Sequence, residues 1–133
     1  MTNLEICMSL SKKLGEQDIA GIKSFLADDV VIDHPAVPEA LLTSSRQFAE
    51  VLSSFYKWAT EGSIKILRTQ ANDNRVWMER IDSWKIEEKW VDVPVVAIFD
   101  LENDVVVHWT EYLDFGYMNQ FKTRPGDELH NKI

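Results

Sequence analysis

Cysteine, glycine, basic surplus and long apolar runs are what this chain has least of. Cys7 is its only cysteine in 133 residues. No intrachain disulfide can form, and a reducing, cytoplasmic setting is expected. Five glycines are too few to build a glycine-rich phosphate loop. The formal net charge of −8 is spread along the chain, which argues against nucleic acid or an anionic membrane as partner and favours a neutral or cationic small molecule. No stretch approaches the roughly 20 apolar residues of a transmembrane helix. The opening MTNLEICMSLSKKLGEQ carries Glu5, Lys12 and Lys13 around a short apolar segment with no small-residue cleavage site, so it reads as an amphipathic helix instead of a signal peptide. The three histidines are scattered without a carboxylate at helical ligand spacing, so neither a metal nor another cofactor is expected.

What is present is core material. Hydrophobic residues make up 45%, with six Phe, five Trp and three Tyr, enough to fill a core and wall a pocket. The length predicts one domain over residues 1–133, with 122–133 as a tail. Leu4, Cys7, Met8, Leu10 and Leu14 recur at helical spacing up to Gly15 as a stop. Asp18 is placed to cap a second helix carrying Ile19, Ile22, Phe25 and Leu26. A short strand follows at 30–33, then a loop broken by Pro35 and Pro38. Ser44 and Gln47 have capping-box spacing before the helical stripe of Phe48, Leu52, Phe55 and Ala59. From Gly62 onward, four runs rich in β-branched and aromatic residues are separated by turn signals at 72–74, 87–88 and 102–104, which predicts an antiparallel meander. The stretch FGYMNQF reads as a short final helix. Helices followed by a long, strongly curved, mostly antiparallel sheet make an α+β fold, a cone with a pocket at its centre.

Strand alternation then selects a constellation. Met78, Arg80, Asp82 and Trp84 share one face; Val93, Val95, Ala97 and Phe99 form a wholly apolar face; Val107, Trp109, Glu111 and Leu113 share another. If the apolar face is concave, its neighbours bring Arg80, Asp82 and Glu111 into an aromatic cup. Burial raises carboxyl pKa values while an arginine lowers that of the group it holds more tightly, so one acid can stay protonated beside an ionised one. A structural ion triad explains the same spacing, and a single β-bulge would flip half the set.

The residues ERID at 79–82, then VPVVAIFDL, then HWTEYLDF resemble the limonene-1,2-epoxide hydrolase family of the nuclear transport factor 2-like superfamily, the cone-shaped (cystatin-like) α+β barrel shared by SnoaL-like and ketosteroid isomerase-like proteins. The resemblance spans roughly residues 4–120 and implies a cofactor-free hydrolase. It casts Arg80 as the bridge, Asp82 as the acid that protonates the epoxide oxygen and Glu111 as the base that deprotonates water. This chain departs from the family pattern by carrying Glu where the base is Asp, and Ile32 and His34 where a tyrosine and an asparagine hold the water. His34 can hold a water, whereas Ile32 cannot. The implied pocket adds His34, Trp84, Val93, Val95, Trp109, Leu113 and Met118, and the ligand is an apolar small molecule.

Asp33 and His34 stand at the expected mouth of the cone. They keep a second reading open, a ketosteroid isomerase or polyketide cyclase with one of them as proton shuttle and Asp82 as hydrogen-bond donor. A third reading is a non-catalytic ligand-binding dimeric module whose pocket is plugged. Trp90, His108, Thr110 and Tyr112 fall on the opposite face and predict a homodimer through it. His130 lies in the tail.

Overall fold

The structure is a computed structural model, and it describes residues 1–114. Helix α1 (Asn3–Glu16) is opened by a capping box between Thr2 and Glu5, and buries Ile6, Cys7, Leu10, Ser11 and Leu14 along one stripe. Gly15 does not end it. A Cβ there would come within 2.9 Å of Ile64 Cγ1, so glycine instead lets α1 lie close on the sheet. The helix stops at Gln17, which adopts the left-handed conformation at φ 61°.

Asp18 caps α2 (Ile19–Ser24) by accepting from the Gly21 amide. The helix is shorter than its periodicity predicts, because Phe25 is its C-cap and Leu26 already opens strand β1 (Leu26–Asp33). That strand pairs in parallel with the last one and its register shifts between Leu26 and Val31, so the exposed Asp28 and Asp29 sit at an irregularity that hid its first half. Between the prolines, Pro38–Ala40 make one 3₁₀ turn. Helix α3 (Ser45–Trp58) is capped by Ser44, which accepts from the Gln47 amide. The reciprocal half of the box is altered, since the Gln47 side chain accepts from the Thr43 amide instead.

Strand β2 (Ala59–Asn72) starts as α3 ends, earlier than Gly62, because Ala59 and Glu61 already pair with Ile86 and Lys85. Gly62 lies beneath the Trp84 ring, where any Cβ would collide. Strands β3 (Arg75–Ile86), β4 (Lys89–Glu102) and β5 (Val105–Tyr112) complete the antiparallel meander. The turn residues Glu87 and Glu88, like Asn103 and Asp104, have φ between 51° and 67°, as two-residue hairpin loops demand. The order β1-β5-β4-β3-β2 leaves the sheet open, with β1 and β2 as its edges. The fold is therefore a curved mixed α+β sheet, not a closed barrel.

Burial alternates strictly along β3 and β4, so Val76, Met78, Arg80, Asp82 and Trp84 face the helices together with Val91 through Leu101 at every second residue. On β5 the alternation breaks once. The register shifts between Asp100 and Leu101, so Val106 takes the inward place expected for Val107, while Trp109 and Glu111 keep theirs. Among the described residues no helix is long and apolar enough to cross a membrane.

Candidate active site

Strand β4 puts Val93 opposite Asp82, Val95 opposite Arg80 and Ala97 opposite Glu111. Two carboxylates on strands that do not touch are therefore joined only by a side chain long enough to cross β4, and Arg80 does this. Its Nε and Nη2 donate to the two Asp82 oxygens, both at 2.9 Å, and Nη2 also donates to Glu111 Oε2 at 2.6 Å. Trp109 Nε1 donates to the same Oε2 at 3.0 Å. All three charged side chains are buried, Arg80 completely, and Arg80 Nη1 has no hydrogen-bond partner among the described residues. The remaining oxygen, Glu111 Oε1, faces His34 Nε2 at 3.8 Å.

Two ionised carboxylates around one guanidinium would leave a net negative charge out of water, which is costly, and one proton makes the cluster neutral. The environments say where that proton goes. Burial pushes the Asp82 carboxyl above the usual range; Arg80 opposes the rise without cancelling it and Glu111 adds to it. Burial also pushes Glu111 up, but the Arg80 charge and the contact with His34 outweigh it and hold Glu111 well below the usual range. Arg80 stays charged, because the two carboxylates overcome its own desolvation. The arrangement can offer a proton from Asp82 and a negative charge at Glu111, side by side.

The cluster floors a cavity of about 420 Å³, within the usual range for a small-molecule site. Asp82 and Glu111 line it, as do the expected His34, Trp84, Val93, Val95, Trp109 and Leu113. Arg80 lies behind them and Met118 lies outside the described residues. The sequence reading missed the opposite wall: Leu14 of α1, Phe48, Leu52 and Phe55 of α3, and the rim of Glu39 to Leu42. Phe48, Leu52 and Phe55 form a legible helical stripe, but a stripe has the same spacing whether it packs a core or walls a cavity. The aromatic wall is tight, with Phe55 edge-on to Trp84 at 4.9 Å and Phe48 edge-on to Trp109 at 5.3 Å.

Asp33 is not at this site. It points to the other face of the sheet, accepting from Thr110 Oγ1 at 2.6 Å beside His108 Nε2 at 3.0 Å. Trp90 and Tyr112 are exposed on that convex face as expected. Among the described residues no cluster of His, Cys, Asp or Glu could hold a metal ion.

Comparison with known proteins adds to this geometry. The family model of the limonene-1,2-epoxide hydrolase catalytic domain matches residues 2–124. A limonene-epoxide-hydrolase-like epoxide hydrolase from M. tuberculosis superposes with a TM-score of 0.74 at 22% identity, covering 84% of this chain and 82% of that one. A nuclear transport factor 2-like protein of unknown function from Burkholderia pseudomallei gives 0.81 at 14% identity over 93% and 100%. A protein of ketosteroid isomerase-like fold from Catenulispora acidiphila, solved with trimethylamine, gives 0.76 at 14% identity over 86% and 89%. No curated protein sequence matches the chain.

Proposed function

Because the chain belongs to the limonene-1,2-epoxide hydrolase family, we propose that it adds water to an apolar epoxide without a cofactor. The observation that carries this reading is the split pair: Asp82 and Glu111 are held by one guanidinium at the floor of one apolar cavity and displaced in opposite directions from the usual carboxyl range. Asp82 is the acid that protonates the ring oxygen as its bond to carbon breaks. Glu111 is the basic group on the side of the attacking water. Arg80 bridges the two and balances their charge through the reaction, so no net charge has to enter or leave the apolar floor. The helix wall of Leu14, Phe48, Leu52 and Phe55 receives the hydrocarbon body.

His34, reaching the same cavity as Asp82, favours a second reading: a ketosteroid isomerase-like proton shuttle with Asp82 donating a hydrogen bond. Asp33 has no part in it, because it faces the other way. An open cavity of this size counts against a plugged binding module. The test is hydration of a panel of cyclic and linear apolar epoxides by the wild type and by Asp82→Asn. Turnover by the wild type that collapses in the variant supports the hydrolase. A wild type inert on the whole panel, or a variant with unchanged rate, overturns it.

A further inference from the structure

We propose that Glu39, at the rim of the cavity, selects the substrate by charge, so that the preferred epoxide joins an apolar body to a cationic, ammonium-type head left at the mouth; this names the substrate class of the hydrolase reading and rests on it. The lining changes character with depth. Asp82 and Glu111 are at the floor, the α3 wall above them is apolar, and Glu39 is an exposed residue where the cavity opens. Leu41 and Val51, which line the same end, are exposed as well.

The rim is fixed by its own hydrogen bonds. The Val37 amide donates to the His34 carbonyl at 2.7 Å, Ala40 to Val37 at 2.9 Å and Leu41 to Pro38 at 3.3 Å. Ile32 and Leu42 then exchange two bonds of 2.9 Å, which close the loop back onto β1. Pro35 and Pro38 restrict the backbone within it. Glu39 is thus held at the mouth by the same loop that brings His34 to Glu111.

Among the described residues no ion pair engages Glu39. Where the surface continues past Leu42 and Val51 it meets a second carboxylate, Glu50, already paired with Arg46 at 3.5 Å. The formal charge of −8 acts in the same sense at longer range. Deeper in, an anion fares worse. Arg80 lies behind the floor with both carboxylates on its guanidinium. His34, the one lining side chain among the described residues able to carry a positive charge, faces Glu111. A carboxylate brought in with the substrate would lose its water without gaining a partner. A cation avoids that cost at the rim, where it keeps most of its water and gains Glu39.

The test compares three epoxides of equal length that end in tert-butyl, trimethylammonium or carboxylate. The first two ends have the same shape, and the ammonium can neither attack the ring nor titrate. The wild type should prefer trimethylammonium to tert-butyl, and tert-butyl to carboxylate, by about three- to fivefold each in kcat/KM. The difference should lie in KM, because the charge is remote from the reacting ring, and should shrink between 10 mM and 500 mM salt, concentrations over which the screening length falls from about 30 Å to a few ångström. Glu39→Gln should bring the trimethylammonium and tert-butyl compounds together, and Glu39→Lys should invert the order. Each readout is a ratio within one preparation, so a partly misfolded variant still decides the matter. A wild type that prefers the carboxylate, a preference indifferent to salt, or a Glu39→Lys ratio equal to that of the wild type overturns the role of Glu39, while turnover of the tert-butyl compound keeps the hydrolase standing. A wild type inert on all three overturns both.

Discussion

The two faces of one sheet carry the same interaction in opposite settings. On the concave face Arg80 holds Asp82 through two hydrogen bonds of 2.9 Å with neither side chain in water. On the convex face Arg75 holds Asp100 through two of 2.6 and 3.2 Å with its side chain more than half exposed, and Asp100 leads on to His108, Asp33 and Thr110. Distances do not separate the two clusters. Solvent does, because water already satisfies the convex charges, whereas each concave charge depends on its partners. The concave cluster is the one that can hold a proton where chemistry needs it.

The sharpest break of this comparison is to remove each arginine. Arg80→Met leaves two carboxylates buried around an apolar side chain, and losing one partner of a buried pair costs about 3–5 kcal/mol. Urea unfolding should show that loss together with loss of turnover. Arg75→Met should leave the unfolding midpoint within the scatter of the wild type. Equal effects from the two variants would mean that the faces do not differ as argued.

Catalysis gives the next largest effect. Asp82→Asn and Glu111→Gln should each lower kcat by about 10²–10⁴ with the fold intact, since Asp82→Asn leaves the triad electrically neutral and in Glu111→Gln the Asp82 carboxyl can ionise to balance Arg80. Asparagine cannot protonate the opening oxygen, and glutamine brings no charge to the water side. The double variant should be little slower than either single one, because acid and base act in one step. Asp33→Asn, on the convex face, should leave kcat unchanged. Progress curves on one good epoxide check all four.

These contrasts also mark what the sequence could and could not reveal. Period-two alternation on β3 and β4 placed Arg80, Asp82, Trp84, Val93 and Val95 correctly, since neither strand is interrupted along that stretch of their pairing. It misplaced Val107 and shortened β1 because register shifts are made by backbone geometry that no side chain announces. Asp33, the last residue of β1, and His34, the next along the chain, part to opposite faces, but which one turned inward depended on that same hidden register. The helix wall of the cavity was unreadable for a different reason: Phe48 and Phe55 look alike whether they touch side chains or a ligand.

pH separates the faces more gently. Glu111 is held below its unfolded value, so its contribution to stability is present above the ordinary carboxyl range and is lost as pH falls through its folded value. Asp82 has the opposite sign. Its folded value is raised, so its contribution is full below the ordinary range and is lost as pH rises through the folded value. Asp82→Asn should therefore flatten the decline on the alkaline side, and Glu111→Gln the decline on the acid side. Asp33, lowered because the hydrogen bonds from Thr110 and His108 outweigh its burial, shares the sign of Glu111, but its partial exposure makes the effect smaller. Activity should follow a bell with Glu111 on the acid limb and Asp82 on the alkaline one. Unfolding curves measured across pH for the wild type and the three single variants would expose any reversal of sign.

The smallest effect concerns assembly, and it reaches back to the comparison itself. Val96 pairs with Tyr112 across β4 and β5, both side chains are exposed, and Trp77 and Trp90 are exposed on the same convex face. Apolar area of that extent on an unpaired sheet face is better covered, and a second copy is the simplest cover. We expect a homodimer at micromolar concentration by analytical ultracentrifugation, shifted to monomer by Tyr112→Glu, which sets a like charge against its counterpart across a two-fold interface. Turnover of the variant should stay near that of the wild type, because Tyr112 points away from the cavity floor. If the dimer forms, the row of Arg75, Asp100 and His108 lies beside the contact and loses part of its water. The harmless Arg75→Met would then become costly as protein concentration rises, and only in the dimer. A monomeric wild type, or an Arg75→Met cost that does not depend on concentration, would leave the convex cluster an ordinary solvated ion pair and keep the contrast between the faces as wide as the single chain makes it.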